Sequence, residues 1–424
     1  MSVRTLTFGC RLNAHESDAM RGLAEAAGQD AHTIIVNTCA VTGEAEAQAR
    51  QAIRRAARED PGARIFVTGC AAQIAPEAWA GLPGVVRVIG NADKLRPEAW
   101  APDALPAPVA DIMQAAPAPA VPVTQNANRA RALVQVQQGC DHRCTFCVIP
   151  YGRGPSRSVP LGLLVDQVRA LVAEGFREVV LTGVDIASYG PDLPGRPSLG
   201  QTVRRLLALV PELPRLRLSS LDPAHLGGEA GDADLWRLIA EEPRLMPHLH
   251  LSLQHGSDLI LKRMKRRHGR AEALGLARRA RALRPDIALG ADLIAGFPTE
   301  TEAQFTEMLE LVEEAGLSFL HVFPYSARPA TPAARMPQVP VPLRRERAAR
   351  LRQAGQAAAA RLFASRVGRV ESVLLERGGR GHTEQFAPVR LANARPDAEA
   401  IRPGSLRALR IVAADTEGLL GEAA

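Results

Sequence analysis

The amino-acid sequence predicts an α/β fold in three parts: an N-terminal open parallel-sheet domain, a central partial (β/α)6 barrel and a small C-terminal β-barrel. Three observations predict this organisation. Short apolar segments alternate with helix-like segments in residues 1–100 and 130–365. Residues 101–129 are Pro- and Ala-rich without an amphipathic period, which is typical of an extended linker. Residues 366–424 change to short segments of period two separated by glycine turns.

The composition is that of an ordinary globular protein with a basic surface. The 424 residues are 46% hydrophobic and carry a formal net charge of +7, which favours a polyanionic partner. No apolar run approaches the ~20 residues needed to cross a bilayer, and no apolar leader is seen, so we expect a cytoplasmic protein without a membrane partner. Aromatic residues are only 4%, which argues against broad base-stacking platforms. In a reducing compartment, six cysteines indicate metal ligands more than disulfides.

Three cysteines in the N-terminal part follow predicted strands. The strands are predicted at residues 3–8, 33–37, 64–68 and 85–89, with helices near 17–27 and 44–58. Cys10, Cys39 and Cys70 each come just after one of the first three strands. Because the carboxyl ends of parallel strands share one edge of an open sheet, we expect these thiols to converge. The alternative is that small residues simply fit tight strand-to-helix turns, as Gly9 and Gly69 suggest.

The other three cysteines lie close together in the chain, at Cys140, Cys144 and Cys147. A structural zinc site usually has four ligands, and Asp141 or His142 could supply the fourth only from a position awkwardly close to the first cysteine. A cubane iron–sulfur cluster held by three thiolates suits the spacing better, because a tight loop can hold one face of the cube and leave one iron open. Three unrelated core thiols are the remaining alternative.

The segment 138–147 resembles the signature of the radical S-adenosylmethionine (radical SAM) enzymes, in which the open iron binds the amino and carboxylate groups of SAM. Phe146, the aromatic residue directly before the third cysteine, belongs to that pattern. The resemblance implies a [4Fe–4S] cluster and S-adenosyl-L-methionine as cofactors, bound in a radical SAM partial barrel. Its six strands are predicted at residues 132–137, 178–181, 215–218, 248–252, 287–294 and 319–325.

Polar residues after these strands also follow the family pattern. The resemblance implies that Gly183 lets the backbone approach the SAM amino group and that Ser219 and Ser220 hydrogen-bond the ligand. It also implies that Gln254 and Asp292 hold polar groups of SAM or substrate. Singly, each is explained as well by a capping or turn role. Five departures from common family residues leave the substrate side open: Asp222, His255, His268, Thr299 and Ala330.

The N-terminal part resembles the methylthiotransferases in segments 9–13, 36–42 and 68–73, with Glu16 nearby. In that family, a second [4Fe–4S] cluster supplies or carries the sulfur to be inserted. The resemblance implies that the three N-terminal cysteines bind this second cluster and that Asn13 supports its loop. A turn role is the alternative for Asn13.

The C-terminal part is similar to the TRAM domain, an RNA-binding appendage of tRNA-modifying enzymes. We therefore expect RNA contacts from Arg380, His382 and Arg390, with an inert β-barrel as the alternative. A basic segment of the central domain is a second candidate for phosphate contacts, and its alternative is a solvated helix face: Lys262, Arg263, Lys265 and Arg266. Residues 344–347 are also basic, but a solvated helix face explains them better.

Over its full length the chain resembles a tRNA methylthiotransferase. Segments 9–13, 321–326 and 381–384 are similar to the subgroup that places a 2-methylthio group on N6-threonylcarbamoyladenosine 37 of tRNA. Adenine C2–H is neither acidic nor easily displaced, so the resemblance implies a radical route from SAM, with a second SAM supplying the methyl group. The implied partners are tRNA, an electron donor such as flavodoxin or ferredoxin, and a sulfur donor.

Three alternatives stay open. A sister methylthiotransferase acts on isopentenyladenosine 37 of tRNA or on an aspartate of a ribosomal protein. An iron–sulfur electron-transfer protein requires fully ligated four-cysteine sites, against which the three-plus-three arrangement argues. A zinc-dependent RNA-binding protein would lack the iron of two clusters, about eight atoms per chain.

Overall fold

The computed structural model describes residues 2–102, 104, 107–114, 129–227, 231–392 and 403–424. Most of the predicted linker at 101–129 lies outside the described residues. Its described part includes a 3-10 turn at Ile112–Gln114 that packs against the central domain with Ile112 buried. Within the described ranges, no helix combines the length and apolar character that crossing a membrane requires.

The N-terminal domain is a parallel sheet whose strand order follows the chain. Its strands are β1 (Arg4–Thr7), β2 (Thr33–Thr38), β3 (Arg64–Gly69) and β4 (Val85–Val88). Its helices are α1 (Arg11–Ala26), α2 (Gly43–Glu59), α3 (Cys70–Ile74) and α4 (Glu77–Ala80), with a 3-10 turn at Pro97–Trp100. Successive side chains of β2 point to opposite faces, so Ile34 and Val36 pack with α2 while Ile35 packs with α1. Both faces are therefore covered, and the carboxyl edge is where loops can hold ligands.

The central domain is the partial barrel that the sequence predicts. Its strands are β5 (Ala132–Gln135), β6 (Gln137–Gln138), β7 (Arg157–Ser158), β8 (Glu178–Thr182), β9 (Arg215–Leu218), β10 (His248–Gln254), β11 (Ala288–Ala295) and β12 (Phe319–Pro324). Its helices are α5 (Ile149–Arg153), α6 (Leu161–Ala173), α7 (Leu199–Leu209), α8 (Ala233–Glu241), α9 (Asp258–Arg263), α10 (Arg270–Leu283) and α11 (Glu302–Glu314), with 3-10 turns at Ile186–Ser188, Pro223–His225 and Pro332–Arg335.

The barrel strands form two parallel three-stranded sheets, β5-β8-β9 and β10-β11-β12. The two sheets meet at a seam, where the Leu221 N–H donates to His250 O at 2.8 Å and the Ser252 N–H donates to Leu221 O at 2.9 Å. The apolar faces of the strands and of the surrounding helices share one continuous core. The polar carboxyl ends of all six strands therefore surround one mouth.

A long helix leads into the C-terminal barrel, which is closed in the order β13-β14-β15-β17-β16. The helix is α12 (Val341–Ala364), and the strands are β13 (Val370–Leu375), β14 (Arg380–His382), β15 (Pro388–Leu391), β16 (Leu406–Asp415) and β17 (Gly418–Ala423), with a 3-10 turn at Arg377–Gly379. The predicted small β-barrel is confirmed. Its last strand was not predicted, because the glycines at Gly418 and Gly421 break the alternating pattern.

The C-terminal barrel is fastened to the central domain by two buried arginines of β9. Arg215 donates through Nη2 to the backbone oxygen of Ser372 at 2.8 Å and to its Oγ at 2.7 Å. Arg217 donates through Nη1 to the backbone oxygen of Glu384 at 3.0 Å. Charged donors in buried positions make strong hydrogen bonds, so this contact holds the barrel in a defined position.

Candidate active site

The three N-terminal cysteines meet at the carboxyl edge of the first sheet. Cys10 precedes α1, Cys39 follows β2 and Cys70 begins α3. Gly9 has a left-handed backbone (φ +95°), and a Cβ added to it would lie 2.8 Å from Cys39 Sγ, so the turn before Cys10 packs on the second thiol. Burial, with the neighbouring charges of Cys70 and Cys10, raises the pKa of Cys39 to about 11. We call these residues the N-terminal trio.

The loop of Cys140, Cys144 and Cys147, the central trio, is fixed by backbone contacts. Gly139 has φ +78°, and a Cβ there would overlap a backbone carbonyl at 1.9 Å, so only glycine fits. The Cys140 N–H donates to Gly154 O at 3.0 Å, and the Thr145 N–H donates to Met264 O at 3.1 Å. The loop is therefore anchored on one side to the chain that follows α5 and on the other to the end of α9.

The two trios lie on adjoining helices. Cys70 begins α3, α5 begins at Ile149 just after Cys147, and these two helices pack together. A Cβ added to Gly152 would lie 3.1 Å from Cys70 Cβ. Burial, with the charges of Cys144 and Cys70, raises the pKa of Cys147 to about 12. The two thiol sites are thus neighbours across the boundary between the N-terminal and central domains.

The thiols of each trio bear on the kind of metal centre that the trio could hold. A tetrahedral zinc site with Zn–S bonds of about 2.3 Å places its sulfurs ~3.8 Å apart. All six cysteines are free thiols, yet neither trio is among the described groups whose donor atoms all lie within 4.8 Å of one another. Three thiolates also lack the fourth ligand of a structural zinc ion, whereas an iron–sulfur cube held by three thiolates keeps one iron open. A cationic core would also favour the thiolate form that burial opposes.

One corner of the central trio has other potential ligands. The donor atoms of Cys140, His142 and Asp185 lie within 4.8 Å of one another. His142 Nε2 lies 2.9 Å from Asp185 Oδ2, and Asp185 also accepts from Ser188 Oγ at 2.6 Å. Burial would raise the pKa of Asp185, but the hydrogen bonds from His142 and Ser188 lower it. His142 is therefore paired with the Asp185 carboxylate. The group of three donor atoms contains only one of the three cysteines of the central trio, whereas a zinc site built on that trio would also need Cys144 and Cys147.

A buried arginine joins the two trios. Arg153, the last residue of α5, donates Nε–H to Cys70 Sγ at 3.2 Å and Nη2–H to Asn13 Oδ1 at 2.6 Å. Its Nη1 lies 2.5 Å from Glu16 Oε1, and Lys94 Nζ lies 2.6 Å from Glu16 Oε2. Burial would lower the pKa of Arg153, but Cys70 and Glu16 hold it well above its ordinary value. Arg153 therefore supports the N-terminal trio from the central domain.

Several of the residues predicted to hold SAM lie at the barrel mouth. Asp292 is hydrogen-bonded to His250 Nε2 at 3.0 Å and His321 Nδ1 at 3.2 Å, while Ser220 Oγ lies 3.4 Å from its second oxygen. Burial would raise the pKa of Asp292, but the two histidines hold it well below its ordinary value. Ser219 Oγ is buried without a hydrogen-bond partner among the described residues. An orphaned hydroxyl of this kind fits a polar ligand such as SAM.

Three other residues are predicted to contact SAM: Gly183, Gln254 and Phe146. A Cβ added to Gly183 would lie 2.6 Å from the backbone oxygen of Gln137, so packing alone requires a glycine there. Gln254 ends β10 with a left-handed backbone (φ +69°), a strained conformation that is frequent at functional sites. Phe146 packs edge-on against Phe297, with ring centroids 6.4 Å apart. Their contact with SAM stays a prediction.

The basic segment predicted to bind RNA lies at the end of α9. Arg266 pairs with Asp222 at 3.1 Å and lies 3.8 Å from Cys144 Sγ, so it supports the central trio. Arg263 donates to Thr299 Oγ1 at 2.8 Å. Lys262 and Lys265 flank them, and a cavity of about 260 Å³ beside Cys144 is lined by Asp141, His142, Arg143, Cys144, Asp222, Lys265, Arg266 and Arg267. RNA binding by this segment stays a prediction.

The residues of the C-terminal barrel predicted to bind RNA differ in their surroundings. Arg380 has an exposed side chain. Arg390 pairs with Asp415 and with Glu417 of the same barrel. His382 stacks on Phe386 with ring centroids 4.6 Å apart, at the side of the barrel that meets the central domain. Arg380 is thus the one of these three whose side chain the structure leaves most open to RNA.

Arg11 had no assigned role from the sequence, although it lies in segment 9–13. Its guanidinium carbon lies 5.4 Å from the Phe386 ring centroid, so it spans from the N-terminal trio to the C-terminal barrel. Arg153 had no role either, and the only sequence signal for it is its position between two glycines shortly after Cys147. Both residues contact partners that are far away in the sequence, and local sequence patterns give no signal for such contacts.

Two family models match this chain, one over the central domain and one over the N-terminal domain. The family model of the radical SAM superfamily matches residues 134–312, and that of the uncharacterized protein family UPF0004 matches residues 2–90. The chain is similar in fold to the radical S-adenosylmethionine methyltransferase TsrM from Kitasatospora setae, solved with cobalamin and a [4Fe–4S] cluster (TM-score 0.53, 16% identity, 76% of this chain and 70% of that chain). The barrel and the superfamily match define a radical SAM enzyme, which implies a [4Fe–4S] cluster and SAM.

Curated relatives identify the family more closely. The threonylcarbamoyladenosine tRNA methylthiotransferase MtaB of Rickettsia prowazekii (strain Madrid E) is 50% identical over 386 residues, which cover 91% of this chain and 90% of the relative. A tRNA-2-methylthio-N(6)-dimethylallyladenosine synthase of Erythrobacter litoralis (strain HTCC2594) is 36% identical over 406 residues, covering 89% of this chain and 87% of the relative. The chain therefore belongs to the radical SAM methylthiotransferase family, as its sequence motifs predicted.

Proposed function

We propose that this protein inserts a methylthio group at C2 of N6-threonylcarbamoyladenosine 37 in tRNA, in the cytoplasm. The observation that carries the proposal is the pair of neighbouring three-cysteine sites in a chain that is 50% identical to a relative named for this reaction. Four other relatives named for the threonylcarbamoyl reaction are 31–35% identical and the dimethylallyladenosine enzyme is 36% identical, so the preference for the threonylcarbamoyl substrate rests on the relative at 50%.

Two [4Fe–4S] clusters would be held by this chain. Cys140, Cys144 and Cys147 would hold the cluster that reduces SAM to release a 5'-deoxyadenosyl radical, and the N-terminal trio would hold the cluster that carries the sulfur. Ser219 and Ser220 would hydrogen-bond SAM at the barrel mouth. Arg153 would fix the position of one trio relative to the other, because it belongs to the helix after Cys147 and donates to Cys70 Sγ.

An electron donor such as flavodoxin or ferredoxin would dock near the central trio. The cavity beside Cys144 carries Arg143, Lys265 and Arg267, which suit an acidic partner surface. A sulfur donor would restore the N-terminal trio's cluster, and the exposed Cys10 provides the access that this requires. The substrate tRNA would meet the C-terminal barrel through Arg380.

Nucleoside analysis tests the proposal. The protein, reconstituted with iron and sulfide without oxygen, would be incubated with SAM, a reductant and anticodon stem-loops containing threonylcarbamoyladenosine, dimethylallyladenosine or unmodified adenosine. We expect the 2-methylthio product from the first RNA, together with 5'-deoxyadenosine, methionine and S-adenosylhomocysteine. Product from only the dimethylallyl RNA would assign the sister activity, and product from neither RNA would direct attention to a ribosomal-protein aspartate.

A further inference from the structure

Arg11 occupies a position between all three parts of the protein. It is the first residue of α1 and directly follows Cys10, so its backbone adjoins the N-terminal trio. Its guanidinium reaches the ring of Phe386 in the C-terminal barrel. The guanidinium carbons of Arg131 and Arg217, on the central domain, lie 5.1 and 4.9 Å from the centroid of the same ring. Three cations thus surround one aromatic side chain beside the sulfur-carrying site.

Two of these arginines are neutralised within the protein. Arg131 pairs with Glu178 at 2.9 Å and with Glu376 at 2.7 Å, and Arg217 pairs with Glu178 at 2.9 Å. Among the residues that the structure describes, no carboxylate lies within 4.0 Å of the Arg11 guanidinium. Arg11 is therefore a cation that the surrounding protein positions but does not neutralise.

The surroundings of Arg11 favour an incoming anion. The side chain is exposed, and the guanidinium shares the Phe386 ring with two other cations, Arg131 and Arg217. An anionic group with oxygens in one plane would restore the missing hydrogen bonds, because a guanidinium presents two parallel N–H donors.

We propose that Arg11 binds the carboxylate of the substrate's threonylcarbamoyl group and is thereby the residue that determines substrate specificity. The inference rests on the proposed function. A threonylcarbamoyl substituent ends in a carboxylate, whereas a dimethylallyl substituent is apolar and uncharged. Since adenine C2 must approach the sulfur held by the N-terminal trio, the N6 substituent of the same base must lie close by, and Arg11 directly follows Cys10 in that trio. Phe386, with its left-handed backbone (φ +69°), holds the guanidinium in place from the barrel side.

The same guanidinium could instead bind a phosphate of the RNA, so the test compares two RNAs that differ only in the carboxylate. One anticodon stem-loop carries threonylcarbamoyladenosine, and the other carries its methyl ester, which has the same phosphates but no carboxylate charge. Each RNA is assayed with the reconstituted wild-type enzyme and with Arg11→Gln for kcat/KM, and for Kd by fluorescence anisotropy without SAM. Arg54→Gln, on the exposed face of α2, is the matched control.

The wild type and the control should prefer the acid over the ester by about ten- to hundredfold in kcat/KM and in Kd, the usual range for a charge-assisted bidentate contact. Arg11→Gln should reduce this ratio to near one by weakening the acid alone, and Arg11→Lys should restore part of it. Because the ratio compares two RNAs on the same protein preparation, partial loss of folded enzyme does not change it. Equal weakening of acid and ester by Arg11→Gln would assign a phosphate contact or a packing role and overturn the inference.

The two proposals fail in different ways. If the wild type acts on the threonylcarbamoyl RNA but Arg11→Gln keeps the wild-type preference for acid over ester, only the role of Arg11 is wrong. If the wild type does not act on that RNA at all, the proposed function and the inference are both wrong.

Discussion

Arg153 donates its Nε–H to Cys70 Sγ across 3.2 Å, although the two residues are 83 positions apart and belong to different domains. The same guanidinium pairs with Glu16, and the side chains of Arg153 and Glu16 are 1% and 0% exposed. A cation buried at this point offsets the negative charge of Glu16. The domain boundary is therefore held by the same residues that support the N-terminal trio.

Replacing Arg153 should destabilise the protein. Arg153→Met leaves Glu16 buried with only Lys94 as a partner, and removing one member of a buried ion pair typically costs about 3–5 kcal/mol. Guanidinium chloride unfolding of the reconstituted protein without oxygen measures the loss. Arg54→Met is the matched control, and the double variant Arg153→Met/Glu16→Gln should lose still more stability, because it leaves the buried Lys94 ammonium without a carboxylate. A free energy of unfolding within about 0.5 kcal/mol of the wild type would contradict the buried ion pair.

Removing the N-terminal trio should separate SAM cleavage from sulfur insertion. The triple variant Cys10→Ala/Cys39→Ala/Cys70→Ala should lose half of about eight irons per chain, because it keeps one of two four-iron clusters. It should still release 5'-deoxyadenosine from SAM but form no methylthio product. The matched variant, Cys140→Ala/Cys144→Ala/Cys147→Ala, should lose the same iron and release no 5'-deoxyadenosine. An unchanged iron content in the first variant would show that the N-terminal trio binds no cluster.

The stability should depend on pH through His15, which is buried in α1. Burial lowers the pKa of His15 from 6.5 to about 4. The unfolded chain therefore takes up a proton below pH 6.5 that the folded chain refuses until about pH 4. Stability from this residue is fully present above pH 6.5 and falls as the pH drops towards 4. His15→Leu should reduce the slope of the free energy of unfolding in this window by up to about 1.4 kcal/mol per pH unit.

A second histidine provides the control for this slope. His32 is exposed, and its hydrogen bond to Asp60, with the charge of that carboxylate, raises its pKa. His32→Leu should therefore change the slope slightly and in the opposite direction. Buried His248 and His268 also have lowered pKa values, but they are present in every variant, so the difference between curves isolates His15. Parallel curves for His15→Leu and the wild type would show that His15 is already protonated in the folded state or titrates normally.

Ser219 should matter for SAM and not for stability. Its buried Oγ has no partner among the described residues, so Ser219→Ala removes no internal hydrogen bond. We expect the free energy of unfolding to stay within about 0.5 kcal/mol of the wild type and the Kd for SAM to rise about three- to tenfold. Isothermal titration with the reconstituted protein measures the affinity. Ser198→Ala should do the opposite, losing about 1 kcal/mol of stability as the N-cap of α7 without changing SAM affinity.

Sequence patterns predicted the elements whose ends carry local signals. The helices Leu199–Leu209 and Glu302–Glu314 begin at capping boxes, formed by Ser198 with Gln201 and by Thr301 with Gln304, and such boxes are visible in the sequence. The helix α1 begins at Arg11, six residues before the predicted start, because Cys10 caps it without a side-chain hydrogen bond and gives no N-cap signal. The seam between β9 and β10 was not predicted, since pairing between strands leaves no local pattern.

Residues of the candidate site could be predicted where the spacing of cysteines gives a signal. They could not be predicted where contacts between distant residues decide their role. The six cysteines were predicted as cluster ligands from spacing and strand ends, and the structure places their two trios on adjoining helices. Arg153 was missed because its partners Asn13 and Glu16 lie 140 and 137 residues away. Gly183 was assigned to SAM, whereas the structure also shows a steric requirement from Gln137 that only the folded strands reveal.

The attachment of the C-terminal barrel through Arg215 and Arg217 has a consequence for how a nucleotide is selected. If the barrel binds the tRNA as proposed, its fixed attachment to the central domain would keep a constant distance between the bound RNA and the N-terminal trio. The protein would then select a nucleotide by its distance along the anticodon arm from the RNA segment that the barrel binds. An arm lengthened or shortened by one base pair would present the neighbouring nucleotide, or none, to the reaction.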